Sequence, residues 1–407
     1  MILWVLRISY FCGTFPYSYN SQKKLFVFSK FGLFIFLLGC VCNLGSLIDV
    51  FIHFKINGGV DSISRLVIIV MVIFMELTLL FTVKRKMKFF NKILTLYLQE
   101  TKGSREYPMS YAIFFYNISF LLVSLFDFIH FWFQYTRFVF FWSIASVPNR
   151  FLCWSVIFQL VAVCLFLRRQ LESLNAQMKE LLQEYVKNRK NNGSIERLNK
   201  FSYKSSEFYS SYNSPSALAM TFDEGKDSYS FPKNVHQQEI IFINICRKYK
   251  LLKANVKELN QLYSSIILFL TILQLTNGAV SINGVIKALA LSNGFNKFRI
   301  IKMLHFLFRA IRSIVSITCL YQTCSSIEDE VLKSAKIILD SNLKRCSQSF
   351  LNLIVSFLHN QHVDKTSFTL LFGQINVNLE LSLLFMAGIT PLITISIQTY
   401  FYKKVTG

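Results

Sequence analysis

The chain has 407 residues, of which 53% are hydrophobic and 16% aromatic, with 42 Phe among them. Its mean hydropathy is +0.41, and 16% of its residues are charged where an average soluble domain carries about 25%, so the composition is that of a membrane protein. Lys and Arg outnumber Asp and Glu 44 to 22; in a soluble domain that surplus points to nucleic acid, but in so apolar a chain it is the surplus that cytoplasmic loops carry, and nucleic acid is set aside as a partner.

The opening stretch MILWVLRISYFCGTFPYSYNSQKK lacks the basic start, unbroken apolar core and small-residue cleavage site of a signal peptide. Seven stretches then approach the roughly 20 apolar residues that a span needs: 33–54, 66–83, 111–133, 146–167, 264–286, 303–325 and 378–399. Backbone polar groups facing lipid need partners within their own segment, so each is read as a helix. The apolar RFVFFWSIA from Arg137 is too short to span and extends the third or the fourth helix. The expected fold class is therefore all-α, a polytopic membrane protein with seven transmembrane helices.

Charge gives these helices a direction. Thirty-two of the 44 Lys and Arg fall on the N-terminal segment and the connections on its side, ten on the other side, and Arg309 and Arg312 interrupt the sixth span. Positive residues stay in the cytoplasm, which predicts a cytoplasmic N-terminus and an extracellular C-terminus. G-protein-coupled receptors have the opposite orientation, and a metabotropic seven-helix receptor is the alternative that this asymmetry opposes. A transporter with internal repeats finds no repeat between the two halves.

Helical periodicity outruns the bilayer on the basic side. Leu171, Leu174, Met178, Leu181, Leu182 and Tyr185 follow the fourth span at intervals of three and four; Leu252, Val256, Leu259 and Tyr263 precede the fifth; Ile327, Val331, Ala335, Ile338 and Leu339 follow the sixth. Such stripes mark single helix faces. The stretches 235–262 and 326–377 are expected to form cytosolic helices, packed together as an anchor bundle or, alternatively, lying on the headgroups. Between them 188–234, rich in Ser, Asn, Lys and Tyr, reads as a disordered cytosolic loop.

No catalytic constellation appears, and the chain is not read as an enzyme. His359 and His362 share a helix spacing, but no Cys or carboxylate completes a zinc site, so neither metal nor cofactor is expected. The cysteines in or beside apolar runs read as small core residues. Ionisable groups inside spans are the better lead, being expensive in lipid. Asp127 and His130 on the third helix, Trp154 on the fourth, Asn277 on the fifth and Arg309 on the sixth fall in the outer half and are candidate walls of a ligand cavity. A structural Asp127–Arg309 ion pair, or arginines reaching outward to the headgroups, is the other reading. In the last span Pro391 removes a backbone donor and tends to bend the helix. Gln398 stands near the span's outer end, facing either a polar passage or the wet interface.

These features resemble the insect gustatory receptors, relatives of the insect odorant receptors. The motif likeness lies in LLFGQINVNLELSLLFMAGITPLITISIQ, Leu370 to Gln398, with its aromatic-glycine segment, its VN turn and a final helix ending in Gln. CGTFPYSY near the start and LNQLYSSIILFLTILQLTNG before and within the fifth span are also similar to family segments. Where the family carries Thr-Tyr before the final Gln and Phe after it, this chain has Pro391, Leu392 and Thr399. The resemblance implies a ligand-gated, non-selective cation channel in the plasma membrane of sensory neurons, built as a homo- or hetero-tetramer with related subunits. Its partners would be a small-molecule tastant, membrane lipid and permeating cations. The last helix, 378–399, would line the pore, with Ile395 as the apolar constriction, Gln398 facing the pore and Pro391 bending the helix. An odorant-receptor-like channel subunit is the neighbouring alternative.

Overall fold

In this computed structural model the described residues are 16–57, 60–100, 137–192, 233–290, 297–341, 346–363, 367–370 and 375–378, single positions before Pro16, Ile118, Ser124 and Leu343, and twelve positions from Glu380 to Gln398. Leu6, Arg7 and Ser9 are helical, and two strands follow. β1 (Tyr17–Asn20) and β2 (Leu25–Phe28) pair antiparallel, Tyr17 opposite Phe28 and Asn20 opposite Leu25. The Asn20 side chain shapes the turn, Oδ1 accepting the N–H of Gln22 at 3.0 Å and of Lys23 at 3.1 Å. Lys24 closes it at φ 50°, a region that few residues other than Gly enter.

The Tyr17 hydroxyl donates to the Val83 carbonyl, and burial raises its pKa, so the phenol stays a donor. Asn91 accepts the Phe26 N–H at 2.7 Å and donates to the Phe26 carbonyl at 3.2 Å. Its amide thus pairs a strand edge as a third strand would.

The helices follow. α1 runs Lys30–Asn57, its first turn capped by Ser29, whose hydroxyl accepts the Gly32 N–H at 3.3 Å. α2 is Val60–Glu100 (41 residues), α3 Arg137–Asn192 (56), α4 Lys233–Ala290 (58) and α5 Lys297–Leu339 (43). At 1.5 Å per residue even α2 is about 60 Å long, roughly twice a bilayer's hydrocarbon core. α6 (Gln348–Val363) and a second ribbon, β3 (Thr369–Leu370) with β4 (Ile375–Asn376), complete the labelled elements.

Among the described residues five stretches are long and apolar enough to cross a membrane: Lys30–Ile52, Ile63–Leu98, Arg150–Val186, Gln237–Leu289 and Ile300–Leu339. They coincide with the first, second, fourth, fifth and sixth expected spans. The third, 111–133, lies outside the described residues except for Ile118 and Ser124, both helical. The twelve described positions from Glu380 to Gln398, in the seventh, are helical as well. The RFVFFWSIA stretch opens α3 and so belongs with the fourth span. Helix extends to Asn192 and resumes at Lys233, so both ends of the stretch 188–234 are helical, and 193–232 lie outside the described residues.

Two units divide the chain. One comprises Met1–Glu172, Leu251–Leu332 and Lys365–Gly407. Here α1 is turned inside out relative to a soluble helix. Phe34, Leu38, Val41 and Ile48 are exposed while Asn43 and Ser46 are buried, the arrangement expected where lipid is the solvent and small or polar groups meet between helices. Met75, Phe89, Phe90, Leu160, Ile266 and Tyr321 fill its core.

The other unit comprises Ser173–Lys250 and Lys333–Asp364. Its core is aromatic: Tyr185 stacks on Phe350 at 4.3 Å, Phe242 meets Phe350 edge-on at 5.1 Å, and Tyr249 meets Phe357 at 5.4 Å. Ser347 caps α6, its hydroxyl accepting the Phe350 N–H at 3.2 Å and donating to Glu239 at 3.0 Å. Leu174, Met178, Leu181, Leu182 and Tyr185, the stripe read from sequence, are buried, whereas Leu339 at the end of α5 is 72% exposed.

Candidate functional site

Helices α4 and α5 meet at small residues. A Cβ on Gly278 would lie 3.7 Å from the Ser313 Cβ, and one on Gly284 would lie 2.7 Å from the Phe306 ring, so this ring occupies the space Gly284 leaves. Around this contact the helices carry polar groups that a lipid-facing surface would exclude: Gln274, Ser281, His305, Arg312, Ser313 and Ser316 are all buried. Ser281 and Ser316 satisfy themselves on the carbonyls of Asn277 and Arg312, four residues back, at 2.6 and 2.7 Å. Others do not: Gln274 Oε1, Asn283 Oδ1, Arg309 Nε and Ser313 Oγ are buried without a hydrogen-bond partner among the described residues.

Arg309 Nη2 donates to Asn277 Oδ1 at 3.5 Å, a long bond that orients the guanidinium weakly. Further guanidinium groups lie within electrostatic range: Arg312 and Arg65 of Arg309, and both Arg309 and Arg312 of Arg150. Three helices, α2, α3 and α5, thus contribute cations to one neighbourhood. Trp154, four residues after Arg150 and therefore on the same face of α3, stacks on Phe158 with ring centres 5.4 Å apart.

Of the five residues read as cavity walls, Asn277 and Arg309 are brought together. Trp154 is half-buried on α3, and Asp127 and His130 lie outside the described residues. Two buried polar groups had no assigned partner in the sequence. Glu76 accepts a hydrogen bond from Asn43 Nδ2 at 2.8 Å, joining α1 to α2. Lys86, inside the basic run KRKMK, is 3% exposed with Nζ 4.2 Å from the centre of the Tyr263 ring. The Tyr263 hydroxyl in turn donates to Gln159 at 3.1 Å. A basic run reads as a solvated face, and only the apolar phase of α2 around it, Phe89, Phe90 and Ile93, signals that one of its members turns inward.

The approach to the terminal helix is built on two asparagines. Asn260 of α4 accepts the Thr369 N–H at 3.2 Å and donates to the Thr369 hydroxyl at 3.1 Å, fixing β3. After β4, Val377 is buried and its N–H reaches the Phe368 carbonyl at 2.7 Å. Asn378 Oδ1 then accepts the Leu381 N–H at 2.9 Å, an N-cap, with Glu380 in the first turn where the helix dipole favours an acid. Along the helix Pro391, Ile395 and Gln398 fall at i, i+4 and i+7 on one face, and all three are exposed. Thr394 returns its hydroxyl to the Thr390 carbonyl at 3.0 Å.

The profile described as 7tm Chemosensory receptor matches residues 3–402. Comparison of the sequence with the curated proteins gives no match. The fold is similar to that of the insect olfactory receptor OR5 from Machilis hrabei, with TM-score 0.60 and 10% identity over 98% of this chain and 97% of that one. The same receptor in complex with eugenol gives TM-score 0.61 at the same identity and coverage. The chain belongs to the 7tm chemosensory receptor family. It is an all-α, multi-pass membrane receptor rather than an enzyme.

Proposed function

We propose that this receptor is a gustatory-type, ligand-gated, non-selective cation channel of four subunits in the plasma membrane of sensory neurons. In this reading the N-terminus is cytoplasmic, the last helix of each subunit lines a central pore, and a small tastant binds in the outer half of the helix bundle. One observation carries the pore assignment. The face holding Pro391, Ile395 and Gln398 is exposed on the single chain, with Leu383, Leu384 and Ile395 at 63%, 66% and 58%. A helix anchored at its start by Asn378 and uncovered along this face is suited to border a space shared with other copies.

Ile395 would form the apolar constriction, which closes by excluding water, and Gln398 a ring of amides beyond it. Pro391 would bend the helix before the constriction. Within the stretches 235–262 and 326–377, the latter ending in the β3–β4 ribbon rather than in helix, the helical parts 235–262, 326–339 and 348–363 would anchor the subunits on the cytosolic side. A ligand opens such a pore only by binding the open state more tightly. The eugenol complex of the similar olfactory receptor supports a small organic ligand.

Whole-cell recording of the expressed chain tests the reading, with a panel of bitter compounds, sugars and volatiles and with G-proteins blocked. Ligand-evoked cation currents that survive the block are expected; responses abolished by it overturn the channel assignment in favour of a metabotropic receptor. An odorant-receptor-like subunit is the second reading, favoured by the fold's similarity to an olfactory receptor, and responses confined to volatiles in the same panel would establish it.

A further inference from the structure

We propose that the site around Arg309 takes an organic anion: a small monocarboxylate with an apolar body, its carboxylate held by the Arg309 guanidinium. This rests on the reading of the chain as a ligand-opened receptor and names the chemical class of its ligand. The Arg309 Nη2 is turned to Asn277 through a 3.5 Å bond, and its Nε is buried with no hydrogen-bond partner among the described residues. The edge formed by Nε–H and a terminal N–H is the one on which a carboxylate makes two parallel bonds.

Ser313 lies one turn beyond Arg309, hence on the same face. Its buried hydroxyl also has no partner among the described residues, and it sits at the Gly278 contact, beside Asn277 in the chain. It is placed to donate to the second carboxylate oxygen.

The field favours the same ligand. Arg65, Arg150 and Arg312 have contacts of their own, yet they share the neighbourhood of Arg309, and guanidinium groups remain charged under all ordinary conditions. Arg312 is buried and Arg150 half-buried; like charges held with Arg309 at reduced contact with water repel one another, and an incoming anion relieves that repulsion where a neutral ligand does not. For the rest of the ligand, the stacked Trp154 and Phe158 offer an aromatic surface. Arg150, one turn before Trp154 on the same face of α3, links this surface to the cations. A monocarboxylate suits the site better than inorganic phosphate, whose double charge is more strongly held by water.

The test is binding to the full-length receptor in nanodiscs of phosphatidylcholine, comparing benzoate and hexanoate with benzyl alcohol and hexanol by titration calorimetry. At least one carboxylate is expected to bind about tenfold more tightly than its alcohol, a difference of one decade in Kd. Arg309→Gln should erase that preference, while Arg309→Lys keeps part of it, since one point charge replaces a two-pronged edge. Ser313→Ala is a milder variant, and a loss confined to the carboxylates is expected there too. No carboxylate preference in the wild-type protein overturns the proposal whether or not the variants fold, and so does a preference that survives in Arg309→Gln. Displacement of benzoate when phosphatidylserine is added to the nanodiscs assigns the site to lipid headgroups and also overturns it. Because binding is read without current, a receptor that fails to conduct leaves this result standing, whereas a conducting receptor selective for neutral ligands overturns this inference alone.

Discussion

Asn260 holds Thr369 with both ends of its amide, so one side chain of α4 fixes the ribbon that leads into the terminal helix. Removing it leaves a backbone N–H and a hydroxyl without these partners. Asn260→Ala should therefore destabilise the receptor by about 1–3 kcal/mol, read as a lower midpoint in detergent thermal melts followed by size-exclusion chromatography. Asn260→Asp retains the acceptor and should fall between the two.

The Asn378 cap can be tested separately. Asn378→Ala should cost about 1 kcal/mol, the usual value of a lost N-cap, and Asn378→Ser or Asn378→Asp should restore most of it. A melt in which Ala and Ser behave alike would mean that the hydrogen bond to Leu381 contributes nothing.

Ile395→Ala is expected to raise current in the absence of ligand, because a smaller, less apolar ring is more readily wetted. Gln398→Leu should lower conductance through an open pore. Paired single-channel and macroscopic recordings separate the two effects, and unchanged currents in both variants would remove the terminal helix from the pore.

Lys86 is buried over the Tyr263 ring, and its Nζ makes no hydrogen bond among the described residues. Replacing a poorly paired buried charge by an apolar side chain of similar length is often neutral or stabilising. Lys86→Met should accordingly leave the thermal midpoint equal to or above that of the wild type. Tyr263→Phe should lower it, since the hydrogen bond from Tyr263 to Gln159 is then lost; the cost is about 1 kcal/mol.

At Gly284 the Phe306 ring stands 2.7 Å from where a Cβ would be, so Gly284→Ala forces ring and helix apart. Overpacking of this kind costs about 1–3 kcal/mol. The double variant Gly284→Ala with Phe306→Leu should recover part of the loss in the same melts.

Much of this architecture is legible in the sequence because bilayer thickness imposes long apolar runs, and because helix period survives beyond them. The buried stripe from Leu174 to Tyr185 is an example. What pairs across the chain is less legible. β1 and β2 are four residues each, too short to carry a period, and their edge is completed by Asn91, more than sixty positions away. Glu76 is recognisable as an expensive group in a span, but Asn43 as its partner follows only from how α1 turns against α2. Arg309 and Arg312 stand out together in the sixth span. That Arg65 and Arg150 join them depends on three helices meeting, which no local pattern encodes. Lys86 is hidden because its neighbours Lys84, Arg85 and Lys88 read as an ordinary solvated run.

The terminal helix is capped at Asn378, and twenty residues separate that cap from Gln398. At 1.5 Å per residue this is a lever about 30 Å long. A tilt of about ten degrees at the capped end swings the far amide sideways by about 5 Å, given that rise per residue. In the proposed channel of four subunits, such arms moving in concert would convert a rearrangement the size of one side chain into a change in bore wide enough to admit a hydrated ion.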